Sequence, residues 1–346
     1  MTWLYETYVQ QQIIAMRLND VRNGSNVTED VLTKYRAAWK EKGMIGADGL
    51  LKDMWLVKQD TTIPAKDPGF SAWSNAFMNS WNSEFVKASY DHQALGFITT
   101  VNGQTELQPP LVGNAYRQLV NEDTNGTKAP KQLLDDAREL AQTKILEKEA
   151  SKSMNVPLSL LTKPILGYVT QWLSELGRPE LEGLLQFVDE NLNPTWENGG
   201  LYYPRNDKPW NDKLTWTHMD PFSGNAAIGY SRLHVKDGMK KLWEEPWTQK
   251  QVQAQPWLDG VTLADNVDLL RGQWDAERKV MVVTMKSWDA SIKTINPIFK
   301  NLSAGIWEVI VDGQAVKKEK VQKGGEMSTI VEVDGTEVDV LAVKRE

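Results

Sequence analysis

Along this chain the spacing of apolar residues changes character near Pro256. Before it, apolar residues recur at three- and four-residue intervals, which line one face of an α-helix. After it, they alternate with polar residues or run together in β-branched stretches, as strands do. The first pattern predicts a helix over residues 4–19, with Ile13, Ile14, Met16 and Leu18 as its apolar part. Thr28 then reads as the cap of EDVLTKYRAAWKEKG, which has acids in its first turn, lysines in its last and Gly43 as a stop. A third helix is expected over 71–90. A charged one follows over 131–153, striped by Leu133, Leu134, Ala137, Leu140, Ala141 and Ile145. Two more, over 157–176 and 179–192, are separated by Gly177-Arg178-Pro179, and the last, over 224–243, is interrupted near Gly238.

The strand-like segments are VDLLRGQWD, KVMVVTMKSW, GIWEVIVDGQAVKKEKV and STIVEVDGTEVDVLAVK. The last two place Asp312-Gly313 and Asp334-Gly335 between apolar runs, the strongest short-range hairpin signal. These patterns predict a helical domain over 1–260 and a small antiparallel β domain over 261–346. Helices first and strands last, with no βαβ alternation, argue against a doubly wound sheet. No glycine-rich phosphate loop accompanies them.

Composition narrows the chemistry. At 346 residues with 41% hydrophobic content, the chain can bury a substantial core. A net charge of -7 with no basic block argues against a nucleic-acid partner. The absence of cysteine removes disulfides, thiolate zinc sites and cysteine nucleophiles. No apolar run reaches membrane-span length, and the N-terminus lacks the basic start and apolar core of a signal peptide. A soluble cytoplasmic protein is expected, and the glycosylation sequons at Asn23, Asn26, Asn125 and Asn301 then read as chance matches.

The 15 tryptophans against 7 phenylalanines point to an aromatic pocket, although Trp is also a packing residue. The stretch 193–230 sets Trp196, Tyr202, Tyr203, Trp210, Trp216 and Phe222 among Glu197, Asn198, His218, Asp220 and Asn225, with neither helical nor strand period. Aromatic walls carrying a few polar groups suit an apolar, transiently cationic substrate; the plainer reading is a well-packed loop. Within it, Glu197 beside Tyr202 reads as a general acid in an aromatic surround, or as a hydrogen-bonded loop. His218 and Asp220, before a helix start at Ser223, read as acid/base groups, or as structural donors. On the 71–90 helix, Asn75, Asn79 and Asn82 share a face that either holds a polar ligand group or is merely solvated. Asp20 reads as a metal ligand or acid, or as a turn residue beside Arg17 and Arg22. There is no aspartate-rich motif, nucleophile elbow or His-Glu zinc motif.

Four long segments carry a resemblance: RLNDVRNGSNV, GFSAWSNAFMNSWNSEFV, NPTWENGGLYYPRNDKPWND and THMDPFSGNAAIGYSRL. They resemble fungal proteins with a linalool dehydratase/isomerase-type domain, a group that includes the humulene-forming cyclases of tropolone sesquiterpenoid pathways. The resemblance spans nearly the whole chain. It implies a mainly α fold, an (α/α) barrel or toroid, and an isoprenoid substrate. For the cyclase members it implies farnesyl diphosphate ionised with Mg²⁺ without the usual aspartate-rich motif. The cysteine chemistry of the bacterial linalool enzyme has no counterpart here. A complete toroid needs more helices than the pattern supplies before residue 250, so the barrel is expected to be incomplete at its N-terminus and the chain to form homo-oligomers.

The resemblance implies a first reading as a magnesium-dependent sesquiterpene cyclase in secondary metabolism, and motif and spacing choose the residues. Glu197, His218, Asp220 and Tyr202 would do the catalytic work. Trp81, Trp196, Tyr203, Trp216, Asn198 and Phe222 would line the substrate site, and Asp20, Asn79, Asn82 and Asn225 would hold the metal. Open beside it stand a metal-independent terpenol dehydratase/isomerase, a shortened non-catalytic paralogue, and a glycosidase-type toroid using Glu197 with Asp220.

Overall fold

The computed structural model describes residues 3–150, 165–197, 200–220 and 223–345, which divide into two compact units, Met1–Pro246 and Trp247–Glu346. The first is helical: α1 (Glu6–Asn23), α2 (Val27–Glu41), α3 (Gly69–Met78), α4 (Ser83–Ala94), α5 (Pro110–Glu122), α6 (Pro130–Ala150), α7 (Ile165–Leu176), α8 (Glu180–Asn191), α9 (Ser223–Arg232) and α10 (Gly238–Glu244). A six-residue helix, α11 (Gln249–Ala254), lies near the start of the second unit. Residues 151–153 and 157–164, expected to be helical, lie outside the described residues. Among the described residues no helix is long and apolar enough to cross a membrane.

Two expected helix features are corrected by hydrogen bonding. Thr28 lies inside α2 and does not cap it with its own acceptor; its backbone N–H and its hydroxyl both donate to Asp20, at 2.8 and 2.5 Å. The cap is thus supplied by the preceding helix. The expected helix 71–90 is two helices. The chain leaves helical geometry at Asn82, where φ is -140°, and restarts at Ser83. Asn75, Asn79 and Asn82 therefore do not form one continuous face. The break near Gly238 is as expected: α9 ends at Arg232 and α10 begins at Gly238.

The core of this unit lies around α7, whose Leu166, Val169, Trp172, Leu173 and Leu176 are buried against α3 and α9. Gly167 permits the closest crossing, because a Cβ there would sit 2.9 Å from the Cα of Gly224. The α7–α8 corner turns at Gly177, in the left-handed region at φ +64°, and closes with Arg178 N–H donating to Leu173 O at 2.9 Å. A second cluster joins α5 and α6 through Val112, Ala115, Leu133, Leu134, Ala137 and Ala141. Between α4 and α5 a hairpin pairs Ile98–Val101 with Gln104–Leu107 around Asn102-Gly103, both at positive φ, as a tight primed turn requires.

The second unit is antiparallel β. Its five-stranded sheet runs Gln314–Val321, Gly305–Val311, Val338–Lys344, Val280–Ser287, Val267–Asp275. Asp312-Gly313 makes the expected hairpin. Asp334-Gly335 does not: Val331–Val333 pairs with Lys293–Ile295, whereas Val338–Lys344 enters the large sheet. There Asp334 accepts from Thr336 N–H and hydroxyl at 2.7 and 2.6 Å, a side-chain turn that carries the chain from one sheet to another. Trp257–Asp259 pairs with Ile298–Leu302 in a third sheet, and Asn301 holds the carbonyls of Gln253 and Gln255 at 2.6 and 2.9 Å, so residues before 261 belong to this unit. Val283, Met285, Phe299, Leu302, Trp307, Val309 and Val340 form its core.

Candidate active site

Asn79 stands at the end of α3, at a buried polar centre. Its amide donates to Glu175 Oε1 at 2.8 Å and to Asp237 Oδ1 at 3.0 Å, and its carbonyl oxygen accepts from Ser83 at 2.8 Å. Glu175 is fully buried and also accepts from Tyr230 at 3.1 Å and from the backbone N–H groups of Met239 and Lys240. Burial, then the Glu175 charge and hydrogen bond, push the Tyr230 hydroxyl well above the ordinary tyrosine range. Burial raises the Asp237 carboxyl, but Asn79, Lys87 and the Lys240 charge outweigh it and hold the group below its usual value. With both Glu175 oxygens filled by donors, this centre braces α3, α7, α9 and α10; little acceptor capacity is left for a substrate.

The other expected site residues are dispersed. Asp20 accepts from Ser25, Val27 and Thr28 at the start of α2; these hydrogen bonds, opposed only by burial, hold its carboxyl far below the usual range. Trp81 is buried, donates to Gln10 at 2.9 Å and carries the Arg36 guanidinium over its ring at 5.2 Å. Asn225 clamps the backbone of Tyr203, accepting at 2.8 Å and donating at 2.9 Å. The Tyr203 hydroxyl meets Asp189 and Arg232, and burial together with Asp189 raises it to about 12. Trp216 and His218 are buried edge-to-face at 6.0 Å; burial lowers the His218 pKa, and its Nδ1 has no hydrogen-bond partner among the described residues. Asp220 is half-buried at the end of this run and its backbone carbonyl accepts from Gly224 N–H at 2.9 Å. Trp196 is 71% exposed, and the Tyr202 hydroxyl donates to Glu197 at 3.4 Å on the same exposed hairpin. Asn198 and Phe222 lie outside the described residues.

Magnesium was expected on Asp20, Asn79, Asn82 and Asn225. Asp20, Asn79 and Asn225 are engaged as above, each with different partners, and the Asn82 amide lies 3.8 Å from the Met78 sulfur. Among the described residues no three His, Cys, Asp or Glu side chains gather as a metal site. None of the partners named for these four side chains is shared between them.

A pocket of about 220 Å³ opens where α4 meets the Asn102-Gly103 hairpin, α5, and the start of α8. Ala94, Leu95, Ile98 and Val101 give it apolar wall; Tyr90, Tyr116, Thr99, Thr100, Asp91 and Glu180 bring polar groups. Gly96, at φ +77°, shapes the wall, since a Cβ there would sit 2.5 Å from Gly113 O. The Tyr90 ring lies between Trp172, at 4.8 Å, and the Arg178 guanidinium, at 4.0 Å. Arg178 forks onto Glu180 through Nη2 at 3.0 Å and Nε at 3.3 Å, and reaches Asp91 at 3.7 Å. Burial raises the Glu180 carboxyl, but Arg178, its own backbone N–H and Tyr90 outweigh burial and lower it, so it stands as carboxylate. Burial, then the Glu180 charge, raises the Tyr90 hydroxyl far above its ordinary value, so it stands as phenol. Tyr90, which is buried, and Glu180, which is half-buried, thus line one small pocket of mixed polar and apolar wall, a phenol and a carboxylate that can serve as proton donor and base. In the sequence this corner reads only as a helix break, and Tyr90 only as the end of a helix. Their one local signal is charged residues flanking Gly177 and Pro179.

A family model described as linalool dehydratase/isomerase matches residues 2–209. No curated protein matches the chain. The matched segment is more than half of the chain and contains every residue that lines the pocket, and the chain therefore belongs to the linalool dehydratase/isomerase family, a family of enzymes.

Proposed function

We propose that this protein is a metal-independent hydro-lyase and isomerase of small acyclic terpenols, working in the pocket between α4, α5 and α8. What carries the reading is that Glu180 and Tyr90 line one pocket that falls wholly inside the family-matched segment. Size supports a small substrate: about 220 Å³ is below the roughly 300–1,000 Å³ typical of drug-sized sites. A fifteen-carbon diphosphate is correspondingly disfavoured.

The chemistry closes on these two groups. The Tyr90 hydroxyl gives its proton to the substrate hydroxyl, the C–O bond breaks, and water leaves an allylic cation. The Glu180 carboxylate takes a proton from the adjacent carbon, and the C–H electron pair becomes the new double bond. Glu180 then returns that proton to the Tyr90 phenolate. Isomerisation uses the same cation, with water re-adding at its other end. The ring of Tyr116 suits a passing positive charge, and Ala94, Leu95, Ile98 and Val101 give the hydrocarbon chain its apolar contacts. The same reading takes the helical unit as part of an (α/α) barrel, supported by α7 packing against both α3 and α9.

The test is headspace analysis of volatiles from purified protein given linalool, with and without EDTA, beside farnesyl diphosphate with Mg²⁺. Alkene or isomeric alcohol from linalool, insensitive to EDTA, is expected. Glu180→Gln and Tyr90→Phe should each lower turnover by about 10²–10⁴, with Glu197→Gln near wild type. Product only from farnesyl diphosphate, or loss of activity in Glu197→Gln but not in Glu180→Gln, would overturn the proposal.

A further inference from the structure

We propose that Arg178 is the positioning residue of this pocket: its guanidinium fixes Glu180 in place as the base and holds Tyr90 in register beneath it. The role in turnover rests on the terpenol reading above. The geometry is two-sided. The planar fork meets both Glu180 oxygens, at 3.0 and 3.3 Å, while its face covers the Tyr90 ring at 4.0 Å. A guanidinium does both at once, and an ammonium does not.

The backbone that presents Arg178 is fixed on each side. Gly177 is left-handed, Arg178 N–H is bonded to Leu173 O, and Pro179 fixes the next φ at -64°. Upstream, Glu175 is tied to Asn79, Tyr230 and the start of α10. The long side chain therefore starts from a rigid anchor. Other charges on elements packed against α8 are paired elsewhere. Glu106, on the hairpin, meets Arg138 at 2.6 Å; Arg232, on α9, meets Asp189 at 2.6 Å; Glu175, on α7, is filled by its donors. Facing Glu180 from α4 and α5 are Tyr90, Asp91 and Tyr116. Asp91 is exposed and lies 3.7 Å from the Arg178 guanidinium.

The test follows the Glu180 carboxyl directly in the full chain, by ¹³C-glutamate NMR titration with Glu180→Gln assigning the signal. Replacing Arg178 by Met should move the Glu180 titration to higher pH, and Arg178→Lys should also move it upward. With linalool as substrate, the acidic limb of kcat/KM should move the same way. In the Met variant kcat should fall roughly a hundredfold with KM little changed. Millimolar guanidinium should restore part of the rate to Arg178→Ala. Identical Glu180 titrations in wild type and in either folded variant would overturn the role of Arg178. Because the titration needs no substrate, it decides the matter even if linalool is not turned over, an outcome that would count against the terpenol reading alone.

Discussion

Glu175 and Glu180 flank the same corner, yet their surroundings assign them opposite tasks. Glu175 has no exposed surface and both its oxygens are taken by side-chain and backbone donors. Glu180 is held by Arg178 on one side and lines a pocket on the other. Replacing Glu175 by Ala leaves several buried donors unmet, each costing about 1–3 kcal/mol, so urea unfolding should show a loss of roughly 3 kcal/mol or more. None of this contrast is legible in the local sequence. Both are glutamates near a helix end, and their donors, Asn79, Tyr230 and Met239, come from distant segments.

At the scale of elements, the start of α2 depends on Asp20, a residue of α1. Its folded pKa is lowered by Ser25 and Thr28, so its stabilisation is present above the ordinary aspartate value of 3.8 and is lost as pH falls through the lower folded value. Thermal unfolding followed against pH should therefore show Asp20→Asn below wild type near neutrality, with the gap closing only in strong acid. Periodicity located α1 and α2 without showing this link. A cap within the helix can be read from sequence, but one that crosses from another helix requires the angle between the two. The break in the 71–90 run escaped for a similar reason. Asn79 and Asn82 are weak helix formers, but only their partners and the φ of Asn82 decide that the helix stops there.

At the scale of the molecule, the segregation of helices from strands was plain in the hydrophobic pattern, because periods of 3.6 and 2 persist over many residues. The unit Trp247–Glu346 has its own core, centred on Trp307, Phe299 and Val283. Expressed alone, residues 247–346 should unfold cooperatively, with an m-value of roughly 1–3 kcal/mol per molar urea. A broad, non-cooperative transition in circular dichroism would count against its autonomy. Strand pairing was less legible than strand existence. Asp334-Gly335 looks like Asp312-Gly313 in sequence, and only sheet register separates a hairpin from a crossing between sheets.

The sequence by itself determined the order of helical and β parts, most helices, the Asp312-Gly313 hairpin and, through its long motifs, the family. These depend on short-range periodicity, turn chemistry and matched residues, all of which are properties of neighbours along the chain. Tertiary structure decided which polar groups meet. It set Trp196 and Glu197 on an exposed hairpin, spent Asp20 on a helix start, and gathered Tyr90, Arg178 and Glu180 at one small pocket. Such a site is assembled by long-range packing, in which a carboxylate becomes base or brace according to the donors that reach it, and that information is absent from residue type and spacing alone.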